Sequence, residues 1–200
     1  VNASAPEVPA IDAVLARIEA DRRAGRFDAW ARSTVVDENI GEAVIDRELF
    51  DALHAAAGVD AAFPVGNAGV IHVYGYLFST VRTPFGLKSD RWNDGALART
   101  LGLPADRFRL GASADETPLE RVLAAAAPLL ETTTPDAEWR VGETTQRAVV
   151  ARAADGTGAL VSGVDAGDGM RLLTVFPVAD AAAFAAAIGT PDRLRWNAAA

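Results

Sequence analysis

GVIHVYGYLFSTVRTPFGLKSDRW, residues 69–92, is the stretch on which the reading of this chain turns. Val70 to Val81 are rich in Val, Ile, Tyr, Phe and Thr, side chains that fit a pleated surface and are stiff in a helix. Gly66-Asn67-Ala68-Gly69 reads as a turn ahead of them, and Pro84 and Gly86 as breakers behind. The composition therefore predicts a strand over 70–81. Alternation gives that strand two faces. Ile71, Val73, Gly75, Leu77 and Val81 form one, suited to a core. His72, Tyr74, Tyr76, Phe78, Thr80 and Arg82 form the other, which mixes rings, hydroxyls, an imidazole and a guanidinium as ligand surfaces do.

Two further cations follow closely, Lys88 and Arg91. Lys88 is the only lysine among the 19 Lys and Arg residues. Only the amine of such a pair of residue types can be neutralised by burial and serve as base or nucleophile. The pattern points to a site for a small anionic metabolite, a carboxylate or a phosphate. In it Tyr76, Thr80, Arg82 and Arg91 bind the ligand, with Arg82 gripping it in bidentate fashion. Were chemistry to follow, His72 or Tyr74 would move a proton and Lys88 would supply charge or an amine. The competing reading is plainer: the rings pack beneath a helix with their polar ends satisfied, and Lys88 is a solvated loop residue. The chain is then a non-catalytic interaction or regulatory module, with Trp92, Trp139 and Trp196 as anchors for a partner.

Outward from this stretch, helices alternate irregularly with strands. Ile11, Val14, Leu15 and Ile18 recur at helical spacing, predicting a first helix that ends near Gly25. Ile45, Leu49, Phe50 and Leu53 predict a second, closing before Gly58. Asn93 or Asp94 caps a short helix through Leu101, and Phe108 falls in a brief extended piece. Thr117-Pro118-Leu119-Glu120 combines a cap hydroxyl, a proline at the first helical position and a glutamate three residues after the cap. A helix from there should reach about Leu130. Arg147–Ala153, Ala159–Val164 and Met170–Phe176 then read as an antiparallel meander turned at Asp155-Gly156 and at 165–169. Asp180 caps a last helix that ends at Gly189. The expectation is an α+β fold: a mainly antiparallel sheet with helices packed on one face, and a C-terminal three-stranded meander followed by a helix. One domain spanning 1–200 is expected, with residues 1–9 a loose leader and a soft division near 112–116.

Composition narrows the function classes. Hydrophobic residues make up 50% and charged ones 23%, an ordinary globular mix that excludes disorder for the bulk of the chain. A net charge of −8 argues against nucleic acid as a partner, since a phosphate backbone needs clustered cations. No cysteine is present, which removes disulfides, thiolate metal sites and a Cys nucleophile and is compatible with the cytoplasm. Val1 to Leu15 carry no signal-peptide pattern, and no run approaches the ~18 apolar residues of a membrane span. His54 and His72 are the only histidines and show no metal-ligand spacing; His54 reads as structural. There is no P-loop, no G-x-S-x-G elbow and no G-x-G-x-x-G run, so neither metal nor cofactor is expected. The meander leaves an edge on which two subunits could pair.

Overall fold

A computed structural model describes residues 9–188 of the chain. Most of the leader, the expected helix end at Gly189 and Trp196 lie outside the described residues.

Four helices form where their end signals place them. Helix α1, Ile11–Arg23, buries Val14 and Ile18, carries Arg22 and Arg23 in its last turn, and stops before Gly25 at φ 66°. Helix α2, Arg47–Ala57, starts where the Asp46 carboxylate accepts from the Leu49 N–H at 2.7 Å and ends at Gly58, φ 64°. Strands β1, Arg32–Thr34, and β2, Val65–Asn67, pair antiparallel on either side of it. Beyond β2, a two-residue hairpin pairs β3, Arg82–Thr83, with β4, Gly86–Leu87. Two short helices follow, α3, Asp90–Asn93, and α4, Ala96–Thr100. Helix α5, Pro118–Thr132, has the full capping box: the Thr117 hydroxyl accepts from the Glu120 N–H, and the Glu120 carboxylate accepts from the Thr117 N–H. Helix α6, Ala181–Ile188, begins where the Asp180 carboxylate accepts from the Ala183 N–H at 2.9 Å.

Between α5 and α6 runs one antiparallel sheet in the order β5-β6-β7-β8, comprising Ala137–Val141, Thr144–Arg152, Gly158–Asp165 and Met170–Val178. The fold is α+β. The expected meander is β6 to β8, and β5 adds a fourth strand that the sequence reading missed. Alternation sorts the side chains: Val149, Val161 and Val175 stand in register and join the main core, while Val150, Leu160 and Phe176 join a smaller cluster with α6. Helix α5 packs against β6, β7 and β8, and α6 against β6. The main core contains residues from both sides of 112–116, among them Ile18, Phe50, Leu119 and Val161.

The stretch that opens the sequence reading is not a strand. Val70–Tyr74 is a turn of π-helix that runs directly into a 3₁₀ turn, Gly75–Phe78. Two physical facts override its β-favouring composition. Every residue from Ala68 to Leu77 is buried, so the helix is covered on all sides and shows no solvent-facing stripe to set an amphipathic period. Asn67 is a helix cap rather than a turn residue, its side-chain oxygen accepting from the N–H groups of Gly69 and Val70 at 3.0 and 3.2 Å. Both glycines serve close packing. A Cβ on Gly69 would meet the Trp30 ring at 2.8 Å, and one on Gly75 the Ile45 side chain at 2.4 Å. Phe108 likewise lies in a turn, buried, with no extended piece around it.

Candidate functional site

Replacing a period of two by a helical one redistributes the expected site residues. His72 and Tyr76, four apart, stay on one side, while Tyr74 turns to the other. His72 and Tyr76 rings lie edge to face, 4.9 Å between centroids. Lys88 Nζ and the Arg91 guanidinium carbon approach the Tyr76 ring to 5.5 and 5.4 Å. Arg91 is also 5.4 Å from the Phe176 ring of β8. Four of the seven expected residues thus converge, though through different backbone geometry. Thr80 and Arg82 are exposed and make no part of the group.

Three residues complete the cluster that the sequence did not single out. Ser33 of β1 meets His72 Nε2 at 3.1 Å through its hydroxyl. Asp37, just beyond β1, pairs with Lys88 at 2.5 Å, with its carboxylate almost fully buried. Its other oxygen accepts from the backbone and side-chain N–H groups of Asn39, an Asx turn that fixes the carboxylate's direction. Phe176 supplies the third ring. The string Asp37-Glu38-Asn39-Ile40-Gly41 does carry a turn signal; nothing in one sequence couples it to Lys88.

Two polar atoms in this group are buried without a hydrogen-bond partner, His72 Nδ1 and Arg91 Nη1. Trp30, Ser79, Trp92 and Trp139 also have such atoms, but those are neutral groups, whereas leaving a cationic donor unpaired costs more than the ~1–3 kcal/mol of a neutral one. No carboxylate among the described residues forms an ion pair with Arg91. The electrostatics follow from the shared burial. His72 is held well below its ordinary 6.5 by burial, then by the charges of Arg91 and Lys88, so the imidazole is uncharged at neutral pH. Burial and Arg91 pull Lys88 down, and Asp37 opposes them. Burial works against the Asp37 carboxylate, but the bonds from Lys88 and Asn39 outweigh it and hold it below the usual range. Burial pushes Tyr76 up to about 12, with Arg91 acting against the rise.

Tyr74 belongs to a separate knot. Its hydroxyl donates to Asp21 of α1, which also accepts from the Thr117 hydroxyl at 2.5 Å and from Arg26 at 3.2 Å. Burial and the neighbouring Asp21 charge push the phenol far above its ordinary range, which removes it as a proton carrier. His54 is structural: its Nδ1 bonds the Phe50 carbonyl at 2.8 Å and its Nε2 accepts from the Asn67 N–H at 3.1 Å. Trp92 is 2% exposed and packs on Phe108, so it offers no anchor to a partner; Trp139 is half-buried against the smaller cluster. Among the described residues no helix is long and apolar enough to cross a membrane, and no group of His, Asp and Glu is placed to hold a metal ion. No family model matches the chain, and no curated protein or solved structure matches it.

Proposed function

We propose that this chain binds a small anionic metabolite, a carboxylate or a phosphate, against Arg91, Lys88 and His72. The observation that carries the reading is Arg91. Its guanidinium lies against two aromatic rings, has a buried Nη1 with no hydrogen-bond partner and, among the described residues, forms an ion pair with no carboxylate. A ligand oxygen at that atom would supply a charge-assisted bond, about twice as strong as a neutral one. His72 Nδ1 would take a second polar group of the ligand. Should chemistry follow binding, the proton would fall to His72, whose ring is uncharged at neutral pH and could hold a proton only with the ligand's negative charge offsetting the burial and the nearby cations.

A thermal-shift screen against small carboxylates and phosphates, run in parallel on Arg91→Met and Arg82→Ala, tests the reading. A ligand at about 100 times its Kd stabilises the native state by ~2.7 kcal/mol, roughly 5–10 °C for a chain this long. Wild type and Arg82→Ala should shift alike, because Arg82 is exposed and outside the cluster, and Arg91→Met should not shift. Equal shifts in all three proteins, or none in any, would contradict the proposal.

A further inference from the structure

We infer that Asp37 sets the charge of the ligand this site accepts, restricting it to monoanions such as a monocarboxylate and disfavouring dianions. The inference rests on the anion-binding reading above and deepens it. The charges of the cluster are two half-buried cations, Lys88 and Arg91, and one buried carboxylate, Asp37. His72 adds no charge at neutral pH. The surplus is a single positive charge on Arg91, which one negative charge neutralises. Glu38 also acts on Lys88, but it is exposed and is the weakest of the influences on that amine, so water screens most of its charge. Ser33 and Tyr76, the other polar side chains of the group, are uncharged.

A second negative charge on the ligand would find Lys88 already held by Asp37 at 2.5 Å. It would be repelled by that carboxylate, which is almost fully buried, and like charges repel far more strongly where water is excluded than in bulk. Displacing Asp37 from Lys88 would leave the carboxylate buried with only the two Asn39 donors. Asp37 touches no ligand in this account. It selects by occupying the second cation, which makes it a specificity-determining residue rather than a binding one.

Removing one charge at a time from the Lys88–Asp37 pair tests this selection. Propionate and malonate are close in size and differ by one carboxylate, and at pH 7.5 malonate carries both charges. Calorimetry on wild type should show propionate binding the tighter of the two. In Asp37→Asn the surplus rises to two, and the propionate-to-malonate preference should move toward malonate by roughly tenfold or more. Adding Lys88→Met to that variant returns the surplus to one and should restore the preference for propionate. Should Asp37→Asn fail to fold, Lys88→Met alone decides: with no surplus charge it should lose the preference for propionate over neutral propionamide. Wild-type protein that binds malonate at least as tightly as propionate, or a preference that Asp37→Asn leaves unmoved, would overturn the inference while leaving anion binding intact. If neither anion binds the wild type, both readings fall together.

Discussion

His72 is buried on both of its nitrogens, and that determines how the molecule meets acid. Burial lowers His54 and His72 below their ordinary 6.5 in the fold. The unfolded chain therefore takes up protons first as pH falls through 6.5, and each histidine removes stability from there down to its folded-state value. The slope is at most about 1.4 kcal/mol per pH unit for each ring. Asp21 has the opposite sign: its raised value lets the folded state take a proton before the unfolded one, which softens the acid limb closer to its ordinary 3.8. Asp37, held low, loses its contribution only as pH falls below 3.8 toward its folded value. Urea unfolding at pH 7.5 and 5.5 should accordingly show a loss of roughly 1–2 kcal/mol in wild type, about halved in His72→Asn. Identical losses in the two proteins would mean that His72 is solvated and able to charge. At this scale the sequence reading marked four residues that the structure brings together, Lys88 by its scarcity and Arg91 by its nearness in sequence, but His72 and Tyr76 by a strand alternation that the structure replaces with a helical spacing of four.

At the level of elements, legibility followed the presence of end signals. Gly58, Thr117 with Pro118 and Glu120, and Asp180 each mark a helix boundary by a side-chain or backbone requirement that is local, and these boundaries were readable, whereas the Asp46 cap of α2 was passed over. The buried helix at 70–78 has no solvent-facing side, so its β-branched and aromatic content was the signal left to read and pointed the wrong way. Its cap, Asn67, sits between two glycines and looks like a turn until its acceptor bonds are seen. That error moved Tyr74 onto the wrong side and drew Thr80 and Arg82 into a face that does not exist. Strand β5 was missed although Ala137, Glu138, Trp139 and Arg140 alternate apolar and polar as a half-buried strand does, because the run is short and directly follows the Thr-Pro-Asp turn residues at 134–136. Two substitutions test the helix directly. Asn67→Ala removes two acceptor bonds and should cost about 1 kcal/mol in chemical unfolding. Gly75→Ala presses a methyl group into Ile45 and should cost roughly 1–3 kcal/mol. If both variants unfold at the wild-type midpoint, the helix does not pack as described.

Across the whole molecule, buried polar ties join segments distant in sequence. Asp21 of α1 gathers Tyr74 from the buried helix, Thr117 from the start of α5 and Arg26, and Arg26 reaches on to Glu120 at 2.8 Å. The Thr117 hydroxyl at once caps α5 and donates to Asp21, so helix start and tertiary contact depend on one atom. Arg121, 1% exposed, donates to the carbonyls of Arg107, Arg109 and Glu116 and folds the irregular 107–116 segment against α5. Asp21→Ala would leave three donors without an acceptor and should destabilise by about 3–5 kcal/mol. Asp21→Asn, which keeps shape and one carbonyl, should cost less. A loss within ~0.5 kcal/mol for Asp21→Ala, the level of an ordinary surface change, would refute the tie. None of these long-range pairings was visible in the sequence, because each depends on which segments the chain brings together.

Crystals soaked in bromide give the most direct test of the site. The anomalous signal locates a small monoanion without assuming the natural ligand. The account predicts a bromide within hydrogen-bonding distance of Arg91 Nη1, beside Tyr76 and Phe176, with the Lys88–Asp37 pair still closed. An Arg91 whose Nη1 is bonded to a protein carbonyl, with bromide found only at the surface, would contradict it.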